Sequence, residues 1–274
     1  MRRVFCALLV LGLASPALAD DDYPFLREGK TVGPATFTRW SGFYLGGQLG
    51  YTNGNADFSE ATGPVVAYAL RQSTLEADFS PSTWQLLRTA NQSAPSYGGF
   101  VGYNTQWQDL VLGIEANLNH APLTLTAQST PIGPLITAPD TLKYTHTVTI
   151  DGSGSMTNFD FATLRARAGY VAGNFLPYGF AGIAFGLANV SVAANIHDVQ
   201  CTSVAPITCA PYNFSGSYGR NMEVLYGLAV GAGVDVMVTP NIFLRGEFEW
   251  DEFNPKPSIM MSLATGRVGA GFKF

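Results

Sequence analysis

Seven charged residues occur at similar depth in segments that alternate between apolar and polar side chains, and they are the strongest candidates for a shared site. Arginine and carboxylate side chains form bidentate, charge-assisted hydrogen bonds, and a charge buried without a partner is costly. The set therefore predicts a network of internal ion pairs. Its members are Glu115, Arg165, Arg167, Arg245, Glu247, Glu249 and Arg267.

The candidates for enzymatic chemistry are weaker. His120, His146 and His197 all fall in segments predicted to be external loops, and solvated loop histidines are the favoured interpretation. His120 directly follows the third predicted strand and is the best candidate for a lipid-modifying enzyme, but no serine on a strand face can be assigned beside it as a nucleophile. The glycines at positions 227–233 precede no helix, so they do not form a phosphate-binding loop. We predict no catalytic residue, no metal site and no cofactor.

Residues 1–19 have the pattern of an export signal. Arg2 and Arg3 precede an apolar run of roughly ten residues, and residues 17–19 form an A-x-A cleavage site. Residues 20–39 are predicted to be a flexible periplasmic tail. In an exported protein, Cys201 and Cys209 most simply form a disulfide that closes a small loop. Metal binding is the weaker interpretation, because only one histidine lies near them in the sequence.

Composition excludes most other classes. Charged residues make up only 13% of the 274 residues, hydrophobic residues 47% and aromatic residues 12%. An ordinary soluble domain has about 25% charged residues, and so many aromatics argue against disorder. After the export signal no apolar run approaches the length of a transmembrane helix, and a net charge of −5 argues against nucleic acid as a partner. An all-β protein remains.

Eight segments alternate with a period of two residues, and each is about ten residues long, the length that crosses a bilayer as a tilted strand. The connections after the second, fourth and sixth segments are very short, whereas those after the first, third and fifth are long. Short turns at one end and long loops at the other are typical of an outer-membrane barrel. The predicted strands are residues 42–51, 97–106, 110–119, 160–171, 175–187, 223–238, 242–251 and 263–274.

The two faces of these strands differ in character. In the seventh, Leu244 and Phe248 lie on one face, and Arg245, Glu247 and Glu249 lie on the other. The charges are too few to cover an exterior, so we predict that they line the interior and that the apolar face contacts lipid. The fifth strand is ambiguous, because its aromatic residues compete for the outer face, and a bulge there would reset the register.

Three stretches resemble small eight-stranded outer-membrane proteins: residues 40–47 (WSGFYLGG), 98–104 (GGFVGYN) and 269–274 (GAGFKF). The sequence resembles the opacity-protein and OmpA-like transmembrane barrel superfamily, including the "porin family" surface barrels. The resemblance implies that a terminal aromatic residue is the signal read by the barrel-assembly machinery. Phe274 matches that signal, and Phe272 lies on the same face. Outer-membrane lipid and lipopolysaccharide are further expected partners.

The prediction is an eight-stranded antiparallel transmembrane β-barrel at residues 40–274, with short periplasmic turns and long extracellular loops. We expect a structural, surface-exposed protein that supports membrane integrity and contacts a host or surface ligand through its loops. The charged set either gates the interior or plugs it, and the plug is favoured because an eight-stranded interior is just wide enough for side chains. The alternatives are a narrow channel for small solutes and a lipid-modifying enzyme.

The first long loop contains a predicted capped helical turn at residues 82–88. Ser82 is its expected N-cap and Gln85 its capping-box partner. Trp84, Leu86 and Leu87 in this turn either form an exposed contact patch or pack against the apolar residues of the same loop.

Overall fold

Nine strands and two short α-helices make up the described residues (39–129, 131–253 and 259–274) of the computed structural model. The predicted export signal and the predicted tail up to residue 38 lie outside these ranges. The strands are β1 Gly42–Asp57, β2 Thr89–Trp107, β3 Leu110–Gln128, β4 Ile132–Ile136, β5 Tyr144–Tyr170, β6 Phe175–Thr202, β7 Cys209–Met237, β8 Ile242–Phe253 and β9 Met260–Lys273. The helices are α1 Gly63–Ala69 and α2 Thr74–Phe79, followed by a 3-10 helix at Pro81–Thr83.

Eight of the strands close into a ring. β1 pairs with β2 on one side and with β9 on the other, and every pairing is antiparallel. β3 pairs directly with β5, so the short β4 is not part of the ring. β4 pairs with the upper part of β5, above the segment that pairs with β3. The predicted eight-stranded antiparallel barrel is confirmed.

The short connections were predicted correctly. β2 and β3 meet at a turn in which Gln108 has a φ of 53°, and β5 and β6 meet at a turn in which Gly173 has a φ of 64°. A positive φ suits glycine, which has no Cβ to clash with the backbone. The third short turn joins β7 to β8. All three therefore lie at the same end of the barrel.

A band of apolar side chains surrounds the lower part of the ring on its outer face. On β7, for example, Val224, Leu228 and Val230 are all at least half exposed, and Asp235 is buried on the opposite face. Leu118 and Ile114 on β3 have the same outward orientation. Within the described ranges no helix is both long enough and apolar enough to span a bilayer.

Five strands extend far beyond this band, and here the predicted loops were wrong. Most of residues 120–159 and 188–222, predicted to be loops, continue β3, β5, β6 and β7 and form β4, while β2 begins earlier than predicted. The extended strands stay paired, with register shifts at Thr157/Asp160 and at Ala188/Val190. Above those shifts the paired strands continue the same sheet beyond the membrane, as extracellular hairpins.

The bulge predicted in the fifth segment is absent from it. Tyr178 and Phe180 are buried in the interior, while Ile183 and Phe185 are exposed on the outer face, so the alternation runs unbroken. The register shift lies higher, near Ala188, because two residues of β7 face one residue of β6 there, so β7 has one extra residue.

The first loop folds into the top of the ring. Val66, Leu70 and Leu75 of its helical region pack into one apolar cluster with side chains of the extended strands. The turn predicted at residues 82–88 is wrong: helix is confined to the 3-10 turn ending at Thr83, Trp84 is extended, and the chain then has no regular structure until β2 begins. Leu86 and Leu87 are buried in the cluster, so they pack within the loop and do not form an exposed patch.

Candidate functional site

The interior of the ring contains three layers of side chains. Near the short turns lies an aromatic and apolar layer that includes Trp40, Phe100 and Phe243. Above it lies a layer of buried arginine and carboxylate groups. Above that, Phe159, Leu225 and Leu263 belong to the apolar cluster that also holds the first loop. The charged layer is thus enclosed from both ends by apolar groups.

Glu115 lies at the centre of the charged layer. Its carboxylate accepts hydrogen bonds from Arg167 Nη1 at 3.1 Å and Arg245 Nη1 at 3.0 Å, and from two nitrogens of Arg165. The Tyr44 hydroxyl donates a further bond at 2.6 Å, and the Asn117 amide one at 2.8 Å. Three guanidinium groups from β5 and β8 therefore converge on one carboxylate from β3.

Glu247 and Glu249 form the second part of the layer. Arg267 Nε donates to Glu247 at 2.7 Å, and its Nη2 donates to Glu249 at 2.5 Å. Arg165 bridges the two parts, since its Nη2 lies 2.7 Å from Glu247 and its Nη1 bonds Glu249. The structure thus brings all seven sequence-predicted charged residues into one connected set, each 6% exposed or less.

The strand register explains this pairing. Glu115 lies directly opposite Arg165 on β5, and Glu247 lies directly opposite Arg267 on β9. Residues opposite each other on neighbouring strands have adjacent side chains on one face. These two ion pairs are therefore built into the sheet itself, and no loop is needed to position them.

Three residues of the layer were missed as members of the network. Asp235 lies opposite Arg245 on the neighbouring strand and accepts from its Nε at 2.8 Å and its Nη2 at 3.1 Å. Asp235 also accepts from Arg167 at 2.7 Å, and Tyr178 donates to Glu247 at 2.6 Å. The third is Tyr44. Alternation along residues 223–238 puts Asp235 on the face opposite Val230 and Val234, so the sequence contains a signal for its inward position.

Aromatic rings support the guanidinium planes. Arg167 lies 3.8 Å from the centroid of Tyr178, and Arg165 lies 3.9 Å from that of Phe180. These stacked contacts add a cation–π attraction to the ion pairs. Glycine makes the room: a Cβ at Gly233 would lie 2.7 Å from the Tyr178 hydroxyl oxygen. The glycine-rich inner face of β7 therefore serves packing of the interior.

Asp251 differs from the other buried acids. The four arginines are matched in number by Glu115, Asp235, Glu247 and Glu249, which leaves Asp251 as a fifth carboxylate. Its exposure is 0%, and within the described residues no arginine donates a hydrogen bond to either of its oxygens; its neighbour is the carboxyl group of Glu249. Two carboxyl groups of like charge buried together are unfavourable, so Asp251 is the one acid of this layer that no arginine holds by a hydrogen bond.

The histidines do not lie in loops, contrary to the prediction. All three are on extended strands: His120 on β3, His146 on β5 and His197 on β6. His120 Nδ1 lies 2.5 Å from Asp160 Oδ1 on the outer face, and His197 Nδ1 lies 2.6 Å from Asn213 Oδ1. Each of these two hydrogen bonds connects a histidine to a side chain on the neighbouring strand, because the strands continue above the membrane where loops were predicted.

His146 departs furthest from the prediction of a solvated loop histidine, because it is buried on a strand. Its Nδ1 lies 2.7 Å from Asp198 Oδ2, and its Nε2 lies 3.3 Å from Asp140 Oδ2. Asp140 also accepts from the Thr74 hydroxyl at 3.0 Å. Because Thr74 begins α2, this cluster fastens the first loop to the turn between β4 and β5.

The carboxyl group of Asp140 is stabilised in its charged form. Burial alone would raise its pKa, but the hydrogen bonds from the Tyr144 backbone N–H and from Thr74 lower the pKa below its ordinary value, with His146 adding to this effect. The attachment of α2 therefore depends on an ionised aspartate.

Cys201 and Cys209 are joined by a disulfide in the structure. They lie opposite each other where β6 ends and β7 begins, at the outermost turn of the longest hairpin. Ser203 in that turn donates its backbone N–H to the Lys143 carbonyl at 3.0 Å. The turn is thus linked both across its own hairpin and to the turn that precedes β5.

Comparison with known proteins places this geometry in a family. The family model described as "Outer membrane protein beta-barrel domain" matches residues 5–274. The chain belongs to this family. A curated relative, the 22 kDa outer membrane protein of Rhizobium leguminosarum bv. viciae, is 25% identical over 245 residues, which cover 86% of this chain and 78% of the relative. The protein is thus an outer-membrane β-barrel protein of bacteria.

Solved structures of outer-membrane barrel proteins are also similar to this chain. Ail, the attachment invasion locus protein of Yersinia pestis, is 14% identical, with a TM-score of 0.37, and the match covers 85% of this chain and 99% of Ail. OprG of Pseudomonas aeruginosa is 11% identical, with a TM-score of 0.38, and the match covers 85% of this chain and 96% of OprG.

The last strand of this outer-membrane barrel carries the two residues predicted to be the assembly signal. Phe272 and Phe274 are both exposed on the outer face, with ring centroids 5.1 Å apart. The Phe274 backbone N–H donates to the Phe43 carbonyl at 2.9 Å. The final residue therefore lies where β9 closes the ring against β1, with its ring directed towards lipid.

Proposed function

We propose that the protein is a structural, surface-exposed outer-membrane barrel whose interior does not conduct solutes and whose extracellular hairpins make its contacts. The observation that carries this proposal is the filled interior. The charged layer joins residues of β3, β5, β7, β8 and β9, with Arg165 bonded to Glu115 on one wall and to Glu247 and Glu249 on the other. A solute path would have to break these ion pairs.

A second obstruction supports the same proposal. Above the charged layer, Phe58, Leu70 and Leu75 of the first loop are fully buried among the apolar side chains of the extended strands. Burial of large apolar side chains is favourable at roughly 1.5–3 kcal/mol each. The loop is therefore held inside the upper ring by its own packing, in series with the ion pairs.

Conductance across a planar lipid bilayer tests the closed interior. We expect no steady openings from the wild-type protein at neutral pH. Because the two obstructions are in series, Arg167→Ala alone should change the current little, and Arg167→Ala combined with removal of the first loop should produce openings. The exposed Arg71→Ala is the control and should behave as wild type. Steady, large openings from the wild-type protein would instead establish the narrow channel for small solutes.

Surface contact is assigned to the outermost turns. Val204 and Ile207 are exposed within the disulfide-closed turn, and Leu142 is exposed in the neighbouring turn. The bond from Ser203 to the carbonyl of Lys143 ties these turns together, so an apolar patch is presented at the far end of the hairpins. A host or surface ligand with an apolar contact region fits this patch. Replacing Val204 and Ile207 with serine should weaken attachment of whole cells to a surface that wild-type cells bind.

The remaining partners follow from the fold. The outward apolar band supports contact with outer-membrane lipid and lipopolysaccharide and thereby a contribution to membrane integrity, and the terminal phenylalanines support recognition by the barrel-assembly machinery. We propose no enzymatic role. The hydrogen bond of His120 is to a carboxylate and its ring contact is with Tyr97, neither of which is a serine or cysteine nucleophile. Unchanged lipid composition in cells carrying His120→Ala would agree with this.

A further inference from the structure

The upper edge of the lipid-facing band contains a row of five outward side chains in direct register. Tyr97 lies opposite His120, His120 opposite Asp160, Asp160 opposite Leu187, and Leu187 opposite Val224. On β3 and β5 the outward residues below this row are aliphatic, apart from Tyr170 near the short turn, and His120 and Asp160 are the first charged or imidazole side chains. The pair therefore marks the height at which the lipid-facing surface ends.

The sheet surface directly below this pair is hollowed. In the next row down, the small residues Gly99 and Ala162 alternate with the large residues Leu118 and Phe185. The small residues form the floor and the large ones the walls of a groove of about 610 Å³. Its lining is mostly apolar, and it opens towards lipid. A volume of this order accommodates a small-molecule ligand or a lipid chain.

The polar end of the groove is preorganised. His120 Nδ1 is engaged by Asp160 at 2.5 Å, and the ring of Tyr97 packs against the imidazole with centroids 5.2 Å apart. Nε2 is therefore the ring atom left to meet a ligand, and it lies at the head of the groove. A polar pair at the edge of hydrocarbon needs a polar partner, because an unsatisfied group there is costly.

We propose that this groove binds an acyl chain of lipid A, the membrane-anchoring part of lipopolysaccharide, with His120 and Asp160 holding the polar linkage where the chain joins the sugar. The long hairpins place this end of the barrel at the cell surface, where the outer leaflet supplies that lipid. The proposal uses the outer-membrane location of the family and does not depend on the interior being closed.

The chemistry of the pair selects the linkage over the phosphate. Asp160 is more than half exposed, so a phosphate close to His120 would also meet a carboxylate of like charge. Because Nδ1–H is donated to the Asp160 carboxylate, Nε2 of the neutral imidazole is an acceptor, so it takes a hydrogen bond from an amide N–H or a hydroxyl of the linkage, and a hydroxyl on the chain donates to Asp160. Lipid tails are as apolar as the groove, so apolar lining alone gives little preference among lipids. Selectivity must come from the polar pair.

The test measures lipid retained by the protein isolated from bacterial outer membranes, using native mass spectrometry after exchange into detergent and re-addition of lipid A or phosphatidylethanolamine. Ala162→Phe fills the groove from its floor. Ala166→Phe is the matched control, because it makes the same change on the same face of β5 but outside the groove. Heat-modifiable electrophoretic mobility verifies that each variant is folded.

We expect the wild type and Ala166→Phe to retain lipid A and Ala162→Phe to lose most of it. His120→Ala should lower retention of lipid A severalfold and leave phosphatidylethanolamine unchanged. Equal retention by the two phenylalanine variants would overturn the groove as the binding site. If wild type retains both lipids equally and His120→Ala alters neither, the role of the polar pair is refuted.

Discussion

The position of Glu115 between three arginines makes its removal the sharpest test of the charged layer. Glu115→Gln keeps the size of the side chain and removes its charge. One carboxylate oxygen becomes an amide NH2 that faces guanidinium groups, so about two of the charge-assisted hydrogen bonds are lost. Each such bond contributes about 1.5–3 kcal/mol. Removal of one partner from a buried ion pair costs about 3–5 kcal/mol, and we expect a loss of unfolding free energy in that range.

Asp251→Asn supplies the matched control. It is the same kind of substitution, at a carboxylate that is equally buried in the same interior. Within the described residues, however, no arginine donates a hydrogen bond to either oxygen of Asp251, which neighbours Glu249. A neutral amide in its place therefore breaks no ion pair and relieves the close approach of two buried carboxyl groups. We therefore expect a change within about 1 kcal/mol, or a gain in stability.

Urea unfolding of the protein in lipid vesicles measures both variants. Trp40 is buried at the periplasmic end with its ring centroid 6.2 Å from that of Phe243, so its fluorescence reports loss of the barrel. Gel mobility without heating gives an independent measure of the folded fraction. Unfolding of Glu115→Gln at the wild-type midpoint would show that Glu115 is not held by the arginines, and equal destabilisation of Asp251→Asn would show that the loss is not specific to the ion pairs.

Three further predictions concern other parts of the chain. Deleting Phe274 removes the last contact between β9 and β1 and the outward ring, and should leave unfolded protein in the periplasm; normal barrel in fractionated outer membranes would contradict this. Peptide mass spectrometry without reductant should find Cys201 bonded to Cys209, and replacing both with serine should cost about 2–3 kcal/mol on the chain-entropy model, confined to that hairpin; two free thiols would refute the bridge. Asp140 has a lowered pKa in the folded protein, so the stability it contributes is present above its unfolded pKa and is lost as the pH falls through its folded pKa. Proteolysis of the first loop should therefore increase only at strongly acidic pH, and Asp140→Asn should make cleavage at neutral pH resemble that in acid; cleavage that is the same at both pH values would count against the Asp140–Thr74 attachment.

The transmembrane part of the fold could be predicted from the sequence because one physical rule applies along its whole height. Lipid requires apolar side chains outside, and a narrow interior leaves room only for small or paired polar ones. Alternation on the third and seventh segments therefore placed Glu115 and Glu247 inside. The same rule placed Asp235 inside, but a single acid among glycines did not indicate that it belongs to the ion pairs.

The histidine cluster could not be predicted in the same way. His146 is 2 residues from Tyr144, at the start of a strand that the sequence analysis treated as loop. Its partners Asp140 and Asp198 lie 6 and 52 residues away in the chain. Only the pairing of β5 with β6, in which His146 lies opposite Gln200 and near Asp198, brings them together. No local spacing carries that information.

The extended strands were missed because the apolar face of each strand changes sides at the membrane surface. On β3, Leu118 faces outward and Asn117 inward, whereas a few residues later Thr124 faces outward and Leu125 inward. The strand does not turn over; its surroundings change from lipid to water. Below the boundary apolar groups contact lipid, and above it the hydrophobic effect drives them inward.

This inversion accounts for the first loop as well. The apolar side chains of the extended strands point inward, and Val66 and Leu75 of the loop pack against them and cover them from water. The level of the inversion is also the level of His120 and Asp160. The surroundings of each continuous strand thus change from lipid to water at one level. That change explains the packing of the first loop above this level and the polar pair of His120 and Asp160 at it.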